Sequence, residues 1–288
     1  LIFISFIFFY TPFGYGSERL ELYFLTEKLL NTKILNRNEF IQFSLNSKSL
    51  GFKDFKNNDK QDYTLSINRA IYPIITYSDN INGGNLFQTI QLGGLTFHGE
   101  EEAKAKSGFL IGGGIFLAMK KQYGMGRYLD VRINTSLVAA PAHDWLNIRN
   151  ESIIACSKNH LKEWVFFDAC AHWGHNKRQY SDATNKSLSV SLTRLFMSRK
   201  VFNESTFTLK RFISDNYDQT QGIFALNSLL PNGYKTNVSM AFGAPITGLI
   251  SLNYSLGLSV SKNIKRKPLR LSLNQTYYDG GKFLGINR

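Results

Sequence analysis

Leu249-Ile-Ser-Leu-Asn-Tyr-Ser-Leu-Gly-Leu-Ser-Val-Ser261 is the stretch that decides the fold. Its even positions Ile250, Leu252, Tyr254, Leu256, Leu258 and Val260 are apolar, and its odd positions from Ser251 to Ser261 are small or polar. Successive side chains of a β-strand point to opposite faces, so a period of two makes one greasy face and one wet face. The same rule governs Tyr234 to Phe242, Lys186 to Phe196, Leu269 to Thr276 and Tyr128 to Leu137. From Tyr63 to Tyr278 the pattern predicts about eleven strands, each of about 10 to 14 residues and separated by turn residues.

Strand length and face chemistry separate a membrane barrel from a soluble sandwich. Sandwich strands run about 5 to 6 residues, whereas a tilted bilayer crossing needs about 9 to 11. One face carries Leu, Ile, Val and Phe, with Tyr or Trp near strand ends. The other carries Ser, Thr, Asn and Gly together with Asp130, Arg132, Asp168, His172, Lys210, Lys235 and Arg270, residues that suit a wet lumen. In lipid every backbone group must be paired internally, so such strands are viable only when closed. The expected fold is all-β, an antiparallel up-and-down transmembrane β-barrel over 63–288.

Composition agrees with that class. Charged residues are 19% of the 288, aromatics 14%, and 34 Lys+Arg against 21 Asp+Glu give a formal charge of +13. So aromatic a chain is not intrinsically disordered. Beyond residue 10 no apolar run approaches the roughly 20 residues of a membrane-spanning helix. No nucleic-acid module accompanies the basic excess, so no nucleic-acid partner is expected, and the charge reads as solvated rim and lumen. The clearest basic cluster, Lys262 to Lys267, falls in a periplasmic turn on this topology.

The apolar opening Leu1 to Tyr10, followed by small residues Gly14 and Gly16, reads as a secretory signal peptide over 1–16 that lacks its first residues. The alternative is a buried strand. Residues 17–62 read as a short periplasmic helix followed by a polar linker. A surface helix on a tether is favoured there over a docking element. Short links at Lys121 to Tyr123, Asn159 to Lys162 and Pro231 to Gly233 alternate with longer ones at Ser78 to Ser107, Ala140 to Ile148 and Gly174 to Thr184. Short turns are periplasmic in outer-membrane barrels, which makes Ser78 to Ser107, with its Glu100-Glu101-Glu102, an extracellular loop. An even strand number is the rule, so about eleven strands imply that C-terminal strands are missing from this sequence.

Cys156 and Cys170 flank one turn. Setting them opposite each other brings Lys158 opposite Asp168, so the register supports itself and predicts a disulfide pinning the hairpin. Asp168, Cys170, His172 and His175 are ligand types, but alternate positions on one strand diverge along about 7 Å, so no metal, cofactor or catalytic group is assigned to them. A barrel lipid hydrolase would need a Ser, a His and an acid in reach, and no G-x-S-x-G is present. Gly112-Gly113-Gly114 is a strand feature that marks a bend or close packing, since no helix start or Lys-Ser/Thr pair makes it a phosphate loop.

Over nearly the whole of Tyr63 to Arg288 the chain resembles the Gram-negative outer-membrane β-barrels. More narrowly, Tyr77-Ser78-Asp79-Asn80-Ile81-Asn82-Gly83-Gly84 resembles the Asn-Ile-Asn motif of barrels of the surface lipoprotein assembly modifier (Slam) type. That resemblance implies about fourteen strands when complete and a role in moving lipoproteins to the cell surface. The helical repeats that precede the barrel in that family have no counterpart in Ser17 to Asp62. The expectation is therefore a non-enzymatic outer-membrane protein for passage or translocation, with outer-membrane lipid, lipopolysaccharide and a lipoprotein as partners. A passive porin-like channel and a lipid hydrolase are the alternatives.

Overall fold

A computed structural model describes the chain except residues 1, 8–16, 53–63, 85–88, 93–94, 99–103, 215–216, 247–249, 265–266, 281, 284–285 and 288. Strand β1 (Ile2–Ile7) comes first, then helices α1 (Glu18–Thr32) and α2 (Arg37–Ser49). The sheet follows as β2 (Thr64–Ser78), β5 (Gly108–Gly124), β6 (Arg127–Ala140), β7 (Leu146–Lys162), β8 (Val165–Lys177), β9 (Asp182–Ser198), β10 (Val201–Ser214), β11 (Tyr217–Leu229), β12 (Lys235–Gly243), β13 (Ile250–Ile264) and β14 (Lys267–Gly280). Between β2 and β5 a small separate hairpin joins β3 (Thr89–Leu92) to β4 (Leu95–His98), and β15 (Lys282–Phe283) pairs with β16 (Ile286–Asn287) near the end.

Among the described residues the chain is all-β apart from the two helices and a short 3-10 turn at Pro141–His143. Eleven strands form one antiparallel up-and-down sheet in the order β2, β5, β6 and so on to β14. β1 lies antiparallel on β14, with Ile2 opposite Tyr277 and Ile7 opposite Ser272. No pairing joins β1 to β2 among the described residues. Pro73 sits in β2, which among the described residues pairs with β5 alone, so its missing N–H removes no bond from a central ladder.

Strands are longer than the alternating windows that announced them. β5, β7 and β9 each have 17 residues. The turns expected at Lys121 to Tyr123 and Asn159 to Lys162 therefore fall further on, at Met125-Gly126 and Glu163-Trp164, and the former turn residues are strand. Gly126 has φ +64°, and Glu163 has φ 49°. The same lengthening corrects two of the long loops. Ala140 to Ile148 shrinks to 141–145 and Gly174 to Thr184 to 178–181, because pairing continues outward after the apolar alternation stops. The third, 79–107, stays long, and its Glu100-Glu101-Glu102 lie outside the described residues.

The two faces differ as the alternation demands. Ile71 (85% exposed), Phe109, Leu137, Leu188, Leu192, Leu209, Phe242, Leu258 and Leu271 all stand exposed on one face. Charges and a polar aromatic edge that aliphatic belt. On β9 it spans Leu188, Val190 and Leu192 between Lys186 and Arg194, a rise of about 26 Å at 3.3 Å per residue.

Candidate functional site

The opposite face is polar and covered. Asp130, Asp168, Ser187, Thr193, Glu204, Ser259 and Ser272 are buried on it. Directly opposed residues share a face, so the register row Asp130, Cys156, Cys170, Ser189, Lys210, Gln221 crosses β6 to β11 on this side. Lys235, Ser261 and Arg270 form a second row across β12 to β14. Asp168 and His172 lie on β8 in step with Cys170. All seven side chains read as lumen-facing thus share the polar face, although they form several local groups and not one cluster. Cys156 and Cys170 are disulfide-bonded, with Cα atoms 4.1 Å apart.

What covers this face is α1. Ser17 caps it, its hydroxyl accepting from the backbone N–H of Arg19 at 3.2 Å. The residues that follow are apolar at 20, 22, 23, 24 and 25, with charge at Glu18, Arg19 and Glu21, so no side of the first two turns is plainly a water face. Arg19, Leu20, Leu22, Tyr23 and Leu25 are buried. Burying each leucine contributes roughly 1.5–3 kcal/mol.

The partners of α1 establish how the sheet surrounds it. At 3.6 residues per turn each residue advances about 100°, so with Glu18 at zero, Leu22 lies near 40°, Arg19 near 100°, Leu20 near 200° and Glu21 near 300°. In that angular order the contacts are Lys120 on β5, Tyr128 on β6, Asp168 on β8, Phe166 and Leu195 on β8 and β9, and Lys235 on β12. Strand number broadly rises with angle, the exception being Tyr23 near 140°, which meets Phe202 on β10. The sheet therefore curls round the helix, with strands from β5 to β12 supplying its contacts. The favoured expectation of a surface helix on a tether is corrected: the segment docks, because its charges find opposite charges on the polar face and its leucines find Phe166 and Tyr128.

Arg19 is the centre of the seat. Its Nη1 and Nη2 donate to the Asp168 carboxylate at 2.9 and 2.8 Å, Lys158 Nζ donates to the same carboxylate at 3.1 Å, and the guanidinium lies 4.3 Å over the Phe166 ring. Burial disfavours the Arg19 charge, but the Asp168 carboxylate outweighs it and holds the group above its ordinary value. Glu18 accepts from Lys120 at 3.3 Å, and Lys235 Nζ donates to Glu21. Tyr23 packs against Trp164 and Phe202, and burial pushes its phenol up.

A second inward element sits at the other end of the strands. Ile81 is fully buried among Leu110, Val138, Ala140 and Ile148. Asn82, also fully buried, accepts from the Lys106 backbone N–H at 2.9 Å and donates to the Lys104 carbonyl at 2.7 Å. Its own carbonyl accepts from Tyr180 N–H at 2.9 Å. The Asn80-Ile81-Asn82 segment thus folds over the loop end of the sheet. α1 occupies the turn end, beside Lys120, Lys158 and Lys235.

Between them the interior is a polar ladder. Asp130 pairs with Arg132, whose side chain is half exposed. Ser191 bonds Thr208, Thr193 bonds Thr206, and Arg270 donates to Ser272 and Ser259. Lys210 lies 5.6 Å from the Phe212 ring centroid. Among the described residues no three His, Cys, Asp or Glu side chains gather as a metal site, and His172 and His175 fall on opposite faces. His175 has Asp182 2.7 Å from Nε2 and Glu151 3.6 Å from Nδ1, so both ring nitrogens face carboxylates.

No family model, characterised protein or solved structure matches the chain. The functional reading rests on geometry. Sequence reasoning missed Glu18, Arg19 and Glu21, whose signal was a helix with apolar residues on every side and three charges packed into its first turn.

Proposed function

We propose that the chain is an outer-membrane β-barrel protein that mediates passage across that membrane, with α1 as the element that decides whether the interior is open. The observation that carries this reading is the pairing of an exposed aliphatic face with a polar face wrapped round a helix. A soluble protein of this topology would bury its aliphatic face.

A freely open pore fits less well, because α1 holds the turn end and Asn80-Ile81-Asn82 the loop end. A lipid hydrolase fits least well: the best acid–base pair, His175 with Asp182, has no ring nitrogen left for a serine. The finer reading, export of a surface lipoprotein, is supported by the resemblance of Tyr77 to Gly84.

The test is fractionation with electrophoresis before and after boiling, followed by planar-bilayer recording. A heat-modifiable band in the outer-membrane fraction and low basal conductance are expected. A soluble protein without a heat shift overturns the barrel, and steady high conductance overturns the plug. Capture of a lipoprotein with the purified protein, and loss of that lipoprotein from the cell surface on deletion, would support the finer reading.

A further inference from the structure

The aliphatic face is not uniform. Across its middle the strands carry alanine where their neighbours carry leucine or phenylalanine: Ala155 on β7 with Ala169 and Ala171 on β8. Leu188 and Val190 on β9 and Leu209 on β10 rise beside them, and the depression between is shallow and open, with a volume of about 620 Å³. Two adjacent register rows make it. One runs Leu129, Ser157, Ala169, Val190, Leu209, and the other Ala155, Ala171, Leu188, Arg211, Thr220. From β6 to β10 this is four strand spacings, about 19 Å across the strands.

One end of the groove is basic. Arg211 closes the second row with its side chain 61% exposed, and Asp218 holds the guanidinium through Nε and Nη2, leaving Nη1 outside that fork. Exposed Lys186 lies one step further toward the loops, directly across from Trp173. Two cations against one carboxylate leave this rim with an excess positive charge. Trp, Lys and Arg together are the side chains that settle at a membrane surface.

Resting on the barrel reading, we infer that this groove binds one acyl chain of an anionic, phosphate-bearing membrane lipid, whose phosphate sits against Arg211 Nη1 and Lys186. An alanine floor admits a chain lengthwise, the flanking leucines clasp it, and the basic rim selects a negative headgroup over a zwitterionic one.

The experiment places the purified full chain in phosphatidylcholine liposomes doped with phosphatidylglycerol that carries a photoactivatable group on its acyl chain. Adducts are mapped by mass spectrometry. Adducts concentrated on residues 153–157 and 167–171 are expected, with loss in A169L/A171L. In K186A/R211A the phosphatidylglycerol probe should label no better than its phosphatidylcholine counterpart. Labelling spread evenly over the apolar face, or unchanged by filling the groove, overturns the inference. Equal labelling of the wild type by the two probes overturns it as well. Flotation with the liposomes and a heat-modifiable band show that each variant is folded and inserted. A wild type that neither floats nor shifts overturns the barrel reading itself, whereas a floating, shifting protein with no groove adducts removes the groove alone.

Discussion

Arg19 and Asp168 lie 149 residues apart in sequence and meet through two parallel hydrogen bonds of 2.9 and 2.8 Å, in a position where both side chains are about nine-tenths buried. Removing one member of a buried ion pair costs about 3–5 kcal/mol when the other is left uncompensated, and Lys158, which stays on Asp168 when Arg19 is removed, brings the R19A cost below that. R19A should release α1 from the turn end and raise single-channel conductance. A variant whose conductance and protease sensitivity match the wild type would remove α1 from the role of plug. D168N removes the one carboxylate that Arg19 and Lys158 share, leaves both cations without it, and should have an effect at least as large.

The disulfide closes a short hairpin, Cys156 to Cys170, with a sequence separation of 14. A loop of this size is stabilised by about 3 kcal/mol through the restricted unfolded chain. C156S/C170S should lower the temperature of the heat-modifiable transition, and reductant should shift the wild type to the same point while leaving the variant unmoved. An equal shift of both by reductant would place its action elsewhere.

Two glycines of the sheet should respond oppositely to the same change. A Cβ on Gly114 would lie 2.4 Å from the Tyr72 ring, whose hydroxyl donates to Asn134 at 2.7 Å, whereas a Cβ on Gly222 meets nothing within 4 Å. G114A should cost about 1–3 kcal/mol by overpacking and break the Tyr72 to Asn134 bond. G222A should be neutral or slightly stabilising. Thermal midpoints of the two variants in one detergent decide the matter, and equal midpoints would contradict the close packing at Tyr72.

At the base of the plug, a hydrogen bond from Lys28 holds the Glu39 carboxyl below its ordinary value of 4.5, helped by the Asn36 backbone of the capping box. The folded group is more acidic than the unfolded one. Its contribution is therefore complete above the ordinary value and disappears as pH falls below it through the folded value. Amide exchange in α2 should accelerate over that acid window, and E39Q should flatten the dependence. An unchanged profile in E39Q would assign the acid response to other groups.

The polar and apolar faces were legible because alternation fixes them locally: Leu256 against Gly257 needs no knowledge of the neighbouring strand. Turn positions were not. The β9 to β10 hairpin turns at Arg199 and Lys200, both at positive φ (47° and 67°), a conformation that Asn-Gly would announce and that Arg-Lys does not. Strands also lengthened past their apolar windows, because pairing continues into the aqueous flanks where either face may be polar, as in Lys120 to Gly124. The site was half legible. Asp168 and Lys235 could be placed on the wet face from β-periodicity, but their partners Arg19 and Glu21 lie on a helix whose docking depends on the curvature of eleven strands.

α1 precedes every strand of the up-and-down sheet, and its first two turns touch strands from β5 to β12. The helix is thus shaped like a mandrel, with the sheet curled round it at a radius that matches its girth. The same winding that makes the wall leaves the form inside it, so that opening the interior means drawing out the piece round which it curls.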